Sequence, residues 1–349
     1  MGGFFGAVSA NDCISDVFFG TDYHSHLGTR RGGMTSYAKE LGFQRNIHSI
    51  ENSPFRTKFE KDVEKMRGNI CIGCISDTDP QPIMVRSKLG LYAVCSIGVI
   101  QNARELSEEL LENGCANFET MSSGSINSGG LIGALIAQKS SFVEGIRYAQ
   151  EKIEGTMSLA IMTEDSILCA RDKSGRLPIL IGERSDGYCF SFESFAYQKL
   201  GYETCHELKA GEILKLTKDG YEILAEGTDQ MKICTFLWTY YGYPTACYEG
   251  VNVELMRTRN GEIMAESDMK NGKLPDVDLF AVFRIPAFPM PLAMPIRAEF
   301  RLLDLFIKYT PDMAEKLYAD KSIHAESCCK NETDSCSGID SRKEAFVCR

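Results

Sequence analysis

The sequence lacks an excess of basic residues. Its 349 residues include 38 Lys and Arg against 48 Asp and Glu, which gives a formal net charge of -10. Proteins that bind nucleic acids generally present a basic face to the phosphates, and no basic stripe occurs in this chain. The composition therefore argues against a nucleic-acid partner.

The sequence also lacks a long hydrophobic run. No apolar segment approaches the roughly 20 residues that a membrane-spanning helix needs. The first residues, MGGFFGAVSANDC, contain no positively charged segment followed by an apolar one, as a secretory leader would. We expect a soluble, cytoplasmic protein without a membrane partner.

Metal-binding patterns are missing although the chain contains 14 cysteines. Most lie in apolar, strand-like segments such as ICIGCIS and YAVCSIG, which favours buried free thiols over a disulfide framework. Four are found near the end of the sequence (Cys328, Cys329, Cys336 and Cys348), but no CxxC pair occurs among them. We expect no metal site.

Residues 1–230 alternate short β-branched or aromatic runs with helical segments, a pattern typical of a mixed α/β (α+β) fold. The predicted strands are 70–76, 91–100, 158–164, 167–172, 178–184 and 187–194, and a hairpin is predicted to turn at Asp219-Gly220. The predicted helices are 103–113, 131–138 and 142–153, the first with a capping box of Asn102 and Glu105. Adjacent strands imply antiparallel sheets.

Composition changes twice after residue 230. An aromatic stretch and a helical pattern occupy 231–275, and the remaining residues, 276–349, include a proline-rich run and a polar tail with few apolar residues to bury. We therefore predict three regions, 1–230, 231–275 and 276–349, of which the last is poorly ordered.

Three blocks of sequence resemble a known family. ARDKSGRLPILIG (170–182) with FSFES (190–194), ELKAGEILKLTKDG (207–220), and CTFLWTYYGYP with EGVNVELMRTRNGEIMAE (234–266) occur in the order found in glutamine phosphoribosylpyrophosphate amidotransferases. The resemblance implies a class II glutamine amidotransferase domain with the four-layer αββα Ntn-hydrolase sandwich at 1–230. Residues 231–275 would then begin a phosphoribosyltransferase domain.

The resemblance also implies that the family nucleophile is absent. In the family, a cysteine directly after the initiator methionine attacks the glutamine amide and uses its own α-amine as the base. Gly2 stands at that position, and an internal cysteine such as Cys13 has no free α-amine to replace it. The resemblance therefore predicts no catalytic residue.

Other positions of the vestigial glutamine pocket differ as well. Ser76 aligns with the arginine that pairs with the glutamine carboxylate, and Ile97-Gly98 aligns with the oxyanion-hole turn. Ser128 aligns near the acidic residue that holds the substrate amine, and His26 lies in the segment matching Gln-His-Arg-Gly. The histidines His24 and His26, beside Arg30 and Arg31, either line a pocket for another anion or are turn and surface residues; the latter is favoured.

The last region resembles the family only in other reading frames. Residues 282–296 give family-like text when the underlying codons are read one base earlier, whereas 306–311 match the family directly. We interpret 276–305 and 312–349 as out-of-frame translation, which would remove the phosphoribosylpyrophosphate loop; chance similarity is the alternative.

Two functions follow from these observations. The first is a degenerate amidophosphoribosyltransferase, a glycosyltransferase of purine biosynthesis, without glutamine hydrolysis and inactive as written. The second is a non-catalytic binding or regulatory module that uses the emptied pocket or pairs with an intact transferase. The family uses Mg²⁺ and phosphoribosylpyrophosphate, but no cofactor is expected here, nor an iron–sulfur cluster at Cys234. A homo-oligomer is a possible assembly.

Overall fold

The computed structural model describes residues 2–114, 124, 126–272, 279–284 and 301–307, the last two segments as backbone only. The chain divides into two compact units, residues 1–234 and 235–349. None of the described helices is long and apolar enough to cross a membrane.

The first unit contains thirteen strands and six helices in its described residues. In chain order these elements are β1 (Gly2–Ser9), α1 (Ile14–Asp22), β2 (Arg31–Ala38), β3 (Gly42–Ser49), α2 (Phe55–Val63), β4 (Ile70–Ser76), β5 (Ile83–Ser87), β6 (Gly90–Ile100), α3 (Ala103–Glu112), α4 (Ser128–Ile136), α5 (Phe142–Lys152), β7 (Gly155–Met162), β8 (Ile167–Ala170), β9 (Leu180–Arg184), β10 (Gly187–Ser191), α6 (Ser194–Gln198), β11 (Glu203–Glu207), β12 (Ile213–Thr217) and β13 (Gly220–Ala225).

Two antiparallel sheets form the centre of this unit. Sheet A has the order β11-β9-β10-β1-β4-β2-β3, and sheet B has the order β13-β12-β8-β7-β6-β5. The sheets pack face to face, with β1 and β4 against β6. Phe4, Phe190 and Phe192 fill part of the space between the sheets. The Phe4 ring centroid lies 5.2 Å from that of Phe190, in a tilted arrangement, and 6.5 Å from that of Phe192, edge to face. Each fully buried aromatic ring stabilises the fold by about 2–3 kcal/mol.

Helices cover the outer face of each sheet. On sheet A, α1 lies very close to β1 because its Gly20 leaves room for the Phe5 ring, which a side chain at Gly20 would overlap. On sheet B, α3, α4 and α5 bury an aliphatic cluster that includes Leu106, Leu131 and Ile146. The result is the four-layer αββα sandwich that the family resemblance implies, and it confirms the mixed fold with antiparallel sheets that the sequence pattern predicts.

The predicted elements are present, with small shifts at their ends. The expected hairpin joins β12 to β13 around Asp219-Gly220. The capping box at α3 was wrong: the Asn102 side chain does not cap its own helix. Its amide instead donates to Lys152 O at 3.0 Å and accepts from Glu154 N at 3.0 Å, because the end of α5 passes within reach of it.

The second unit, taken by itself, contains a π-helix (Leu237–Tyr241), β14 (Cys247–Tyr248), β15 (Val251–Asn252), α7 (Val253–Lys270) and the parallel pair β16 (Leu279–Arg284) and β17 (Arg301–Ile307). Asn252 caps α7 by accepting from Leu255 N at 3.0 Å. Arg257, on α7, is buried and donates to the carbonyls of Trp238 and Gly242. The three sequence regions and the out-of-frame origin of the tail stay predictions, and most of 276–349 lies outside the described residues.

Candidate active site

The neighbours of Gly2 and Gly3 show which face of sheet A each of these β1 residues points to. At Gly3 a side chain would overlap His24, which follows α1 on the outer face of sheet A. Successive residues of a strand point to opposite faces. Gly2 therefore faces inward, toward sheet B.

Gly2 has little room for a side chain. It is buried and pairs in register with Ser76 of β4. A Cβ atom at this position would overlap the carbonyl oxygen of Ile75, a backbone atom that cannot rotate away. Replacement of Gly2 by cysteine would therefore require the two strands to separate slightly.

Ser76 shapes the chain where it leaves β4. Its Oγ accepts hydrogen bonds from the backbone N–H groups of Thr78 and Asp79, both at 3.2 Å. The side chain is buried, with 8% of the residue exposed. Ser76 therefore closes a tight turn at the position where the family resemblance places a long cationic side chain.

Residues 79–81, which follow this turn, form hydrogen bonds with residues next to or at the other predicted pocket positions. Gln81 forms two hydrogen bonds with the backbone of Ser96, accepting from its N–H at 2.6 Å and donating to its carbonyl at 3.1 Å. Asp79 Oδ2 accepts from Ser128 N at 3.2 Å, where α4 begins. Asn127 caps α4 and also donates to Pro80 O at 3.1 Å. Residues 76–82 thus hold the end of β6 and the start of α4 in place.

The Ile97-Gly98 position keeps a special backbone but presents no side-chain donor. Gly98 has φ +151°, in the region that favours glycine, and a side chain there would overlap the Thr156 carbonyl. Ile97 is buried and apolar, with 5% of the residue exposed. An amide or hydroxyl that could stabilise an oxyanion is therefore missing from this side chain.

The two histidines have separate partners. His26 Nε2 lies 2.8 Å from a carboxylate oxygen of the fully buried Glu193, and its Nδ1 lies 3.1 Å from Tyr23 O. Within the described part of the chain, His26 forms no hydrogen bond with Gly2 or Ser76. His26 therefore braces the chain after α1 against β10 and α6.

His24 is not a surface residue, contrary to the interpretation favoured from the sequence. It is fully buried because α1 presses it against Gly3. Its Nδ1 donates to Gly20 O at 2.7 Å, since a carbonyl can only accept, and its Nε2 lies 3.2 Å from Ser191 Oγ, whose hydroxyl donates to Glu193 O at 2.8 Å. Burial lowers the pKa of His24 to about 4, so its imidazole is neutral at physiological pH.

The described thiols do not offer a reactive nucleophile near Gly2. Cys74 of β4 and Cys95 of β6 meet between the sheets, and burial, together with the Cys74 thiol, raises the pKa of Cys95 well above its ordinary value. Burial likewise raises the pKa of Cys71, beside Cys13. Nine cysteines of the described residues are free, and six of them are buried.

The described residues include no group of three or more His, Cys, Asp or Glu side chains that could hold a metal ion. Three residues that connect the site, Asp79, Gln81 and Glu193, are absent from the sequence-based prediction. Each acts through a partner distant in sequence, which local patterns do not reveal.

Comparison with known proteins agrees with this architecture. Residues 67–198 match a protein family described as a glutamine amidotransferase domain. Amidophosphoribosyltransferase from Archaeoglobus fulgidus is 26% identical over 251 residues, which are 69% of this chain and 53% of that protein. The enzyme from Synechocystis sp. is 25% identical over 306 residues, 84% of this chain and 59% of that protein. The chain thus spans between half and two thirds of the length of these relatives.

Solved structures give the same fold. Glutamine phosphoribosylpyrophosphate amidotransferase from B. subtilis, in complex with ADP and GMP, superposes with a TM-score of 0.75 at 20% identity, covering 90% of this chain and 70% of that one. A structure described as the allosteric regulatory enzyme of purine biosynthesis gives a TM-score of 0.74 at 19% identity. The chain therefore has a match to a glutamine amidotransferase domain over residues 67–198 and shares the fold of these solved structures.

Proposed function

We propose that this chain is an amidophosphoribosyltransferase homologue whose glutamine site no longer hydrolyses glutamine. The observation that carries the proposal is Gly2, which has no thiol and no space for one beside Ile75 O. Hydrolysis of the amide begins with nucleophilic attack, so the loss of the thiol removes the first step.

The rest of the vestigial pocket supports the same conclusion. Ser76 is engaged in its own turn and cannot reach out as a cationic clamp, and Ile97 offers no donor to a tetrahedral intermediate. Loss of one oxyanion donor alone costs a factor of about 10²–10³ in rate. A single substitution at Gly2 is therefore not expected to restore activity.

A glutaminase assay tests this proposal. The full chain, its Gly2→Cys variant and the B. subtilis enzyme as positive control are incubated with L-glutamine, and released ammonia is measured. We expect release above background only from the B. subtilis enzyme. Ammonia release proportional to the concentration of the unaltered chain would refute the proposal, and release from Gly2→Cys alone would show that only the nucleophile is missing.

Phosphoribosyl transfer is proposed only for a whole protein with an intact reading frame, fed by free ammonia instead of glutamine. The chain as written is expected to form no phosphoribosylamine from phosphoribosylpyrophosphate, Mg²⁺ and ammonium. Independent sequencing of codons 270–349 tests the frame hypothesis. An uninterrupted frame encoding the same residues would contradict it, whereas a corrected frame would supply the protein for the ammonia-dependent assay.

The second candidate, a binding module that uses the same pocket, is favoured by one specific feature, the cation Arg31. It lies in the strand next to Ser76, in register with it.

A further inference from the structure

Arg31 is aligned across sheet A with Gly2 and Ser76, the two pocket residues that differ from the family. β4 lies between β1 and β2 in sheet A, and Ser76 pairs with Gly2 on one side and with Arg31 on the other. Directly paired residues of antiparallel strands place their side chains on the same face. Arg31 therefore shares the inward face of Gly2 and Ser76.

The glycines that follow Arg31 confirm this orientation. A side chain at Gly32 would overlap Phe55 of α2, on the outer face of sheet A. A side chain at Gly33 would overlap the Gln81 carbonyl, on the inner side. Since β2 alternates, Arg31 points to the same side as Gly33, into the space between the sheets.

The guanidinium of Arg31 has no hydrogen bond or ion pair to any residue that the structure describes, although the residue is half-buried. The two nearest carboxylates in sequence to Ser76 are engaged with backbone groups. Asp77 accepts from Thr29 N at 2.7 Å, and Asp79 accepts from Ser128 N at 3.2 Å. A partly desolvated cation without a partner is costly, and an anionic ligand would offset that cost.

The facing strand supplies an apolar wall. On β6, Cys95 points inward to Cys74, so Ile97 and Val99 also point inward by alternation. Ile97 is buried, whereas Val99 is 65% exposed, which means that the space between the sheets opens to solvent at this end of β6. The Thr156 hydroxyl, in register with Val99, accepts its N–H at 3.1 Å.

We propose that this opening binds a small aliphatic carboxylate, with Arg31 as its anchor and Ile97 and Val99 against its hydrocarbon tail. The planar guanidinium matches a carboxylate through two parallel N–H···O hydrogen bonds. The cation thus lies one strand away from Ser76, the position at which the family resemblance places the arginine clamp. This inference rests on the proposed loss of glutamine hydrolysis, because a pocket that does not hydrolyse glutamine can serve only for binding.

Methyl NMR on the full chain tests the inference. Protein labelled with ¹³C at isoleucine and valine methyl groups is titrated with sodium propionate at constant ionic strength, with sodium chloride as the reference salt. We expect saturable shifts of the Ile97 and Val99 methyl signals with propionate alone. Arg31→Gln is expected to weaken binding by about tenfold or more, the value of one charge-assisted contact.

Two further variants separate the role of Arg31 from a general effect of charge or folding. Arg30→Gln removes the adjacent, exposed cation and is expected to leave propionate affinity unchanged. Arg31→Lys keeps the charge without the planar fork and is expected to bind with intermediate affinity.

The absence of saturable shifts, or shifts that persist unchanged in Arg31→Gln, would overturn the inference. Ammonia release from glutamine is measured on the same samples. Hydrolysis would refute the proposed function, whereas failure of propionate to bind without hydrolysis would refute only the carboxylate site.

Discussion

Acidification is expected to destabilise this fold through one buried imidazole. The pKa of His24 is lowered from 6.5 to about 4, first because burial removes the ring from water, an effect that the nearby Glu193 partly opposes. In the unfolded chain His24 takes up a proton near its ordinary pKa, but in the folded chain it does so only near 4. Between these values the unfolded state binds more protons, so stability falls as pH falls.

The magnitude follows from the same two values. A difference of about 2.5 pKa units corresponds to about 3 kcal/mol of stability. This stability is fully present above about pH 7 and fully lost below about pH 4. Urea denaturation at a series of pH values measures it, with His24→Asn as the variant that cannot titrate. His48→Asn is the matched control, because that imidazole is 37% exposed and bonded to Asp62 at 2.5 Å.

The expected result is a difference in how steeply the free energy of unfolding changes with pH. The free energy of unfolding of the unaltered chain and of His48→Asn should decline more steeply between about pH 6.5 and 4 than that of His24→Asn. Aspartate and glutamate side chains also titrate toward the acid end of this pH range, but they are the same in all three proteins. If the three curves run parallel, the buried neutral imidazole does not control the acid sensitivity and the reasoning is refuted.

Two substitutions test the backbone of the site by the same denaturation assay. Gly98→Ala is expected to lower the free energy of unfolding by about 1–3 kcal/mol, because φ of Gly98 is +151° and the Thr156 carbonyl of β7 occupies the side-chain position. Gly90→Ala is the control: φ of Gly90 is +104° but the space around it is open, so the free energy of unfolding should fall by less. A larger cost at Gly90 would contradict this account. Asn127→Ala should lower the free energy of unfolding by about 1–2 kcal/mol, because its side chain no longer caps α4 by accepting from Gly130 N at 3.2 Å, and an unchanged free energy of unfolding would contradict this account.

Much of the central fold could be predicted because its segments carry strong local signals. The run ICIGCIS is β-branched and apolar and forms β4 over the predicted residues 70–76. The same rules miss β1, whose sequence GGFFGAVS contains three glycines. Its stability comes from pairing with both β4 and β10, distant segments that supply hydrogen bonds on each edge. Such support depends on topology and leaves no local pattern.

Candidate site residues could be proposed from the sequence only where a residue aligns with a functional position of the resembling family. Gly2, Ser76 and Ile97-Gly98 follow from a resemblance read residue by residue, and the structure brings Gly2 and Ser76 side by side. The alignment of Arg31 with Ser76 follows from the register between β2 and β4, which shifts every side chain to the other face if it slips by one residue. No pattern of residue types within either strand fixes that register.

We expect that single reversions toward the family residues would not rebuild the family site. A side chain at Gly2 meets the Ile75 carbonyl, so a cysteine there requires β1 and β4 to adjust. An arginine at Ser76 would remove the acceptor of the Thr78 and Asp79 N–H groups, and that turn positions the segment which holds Ser96. Because Gly2 and Ser76 are part of the packing and hydrogen bonding of their neighbours, we expect glutamine hydrolysis to require several changes made together.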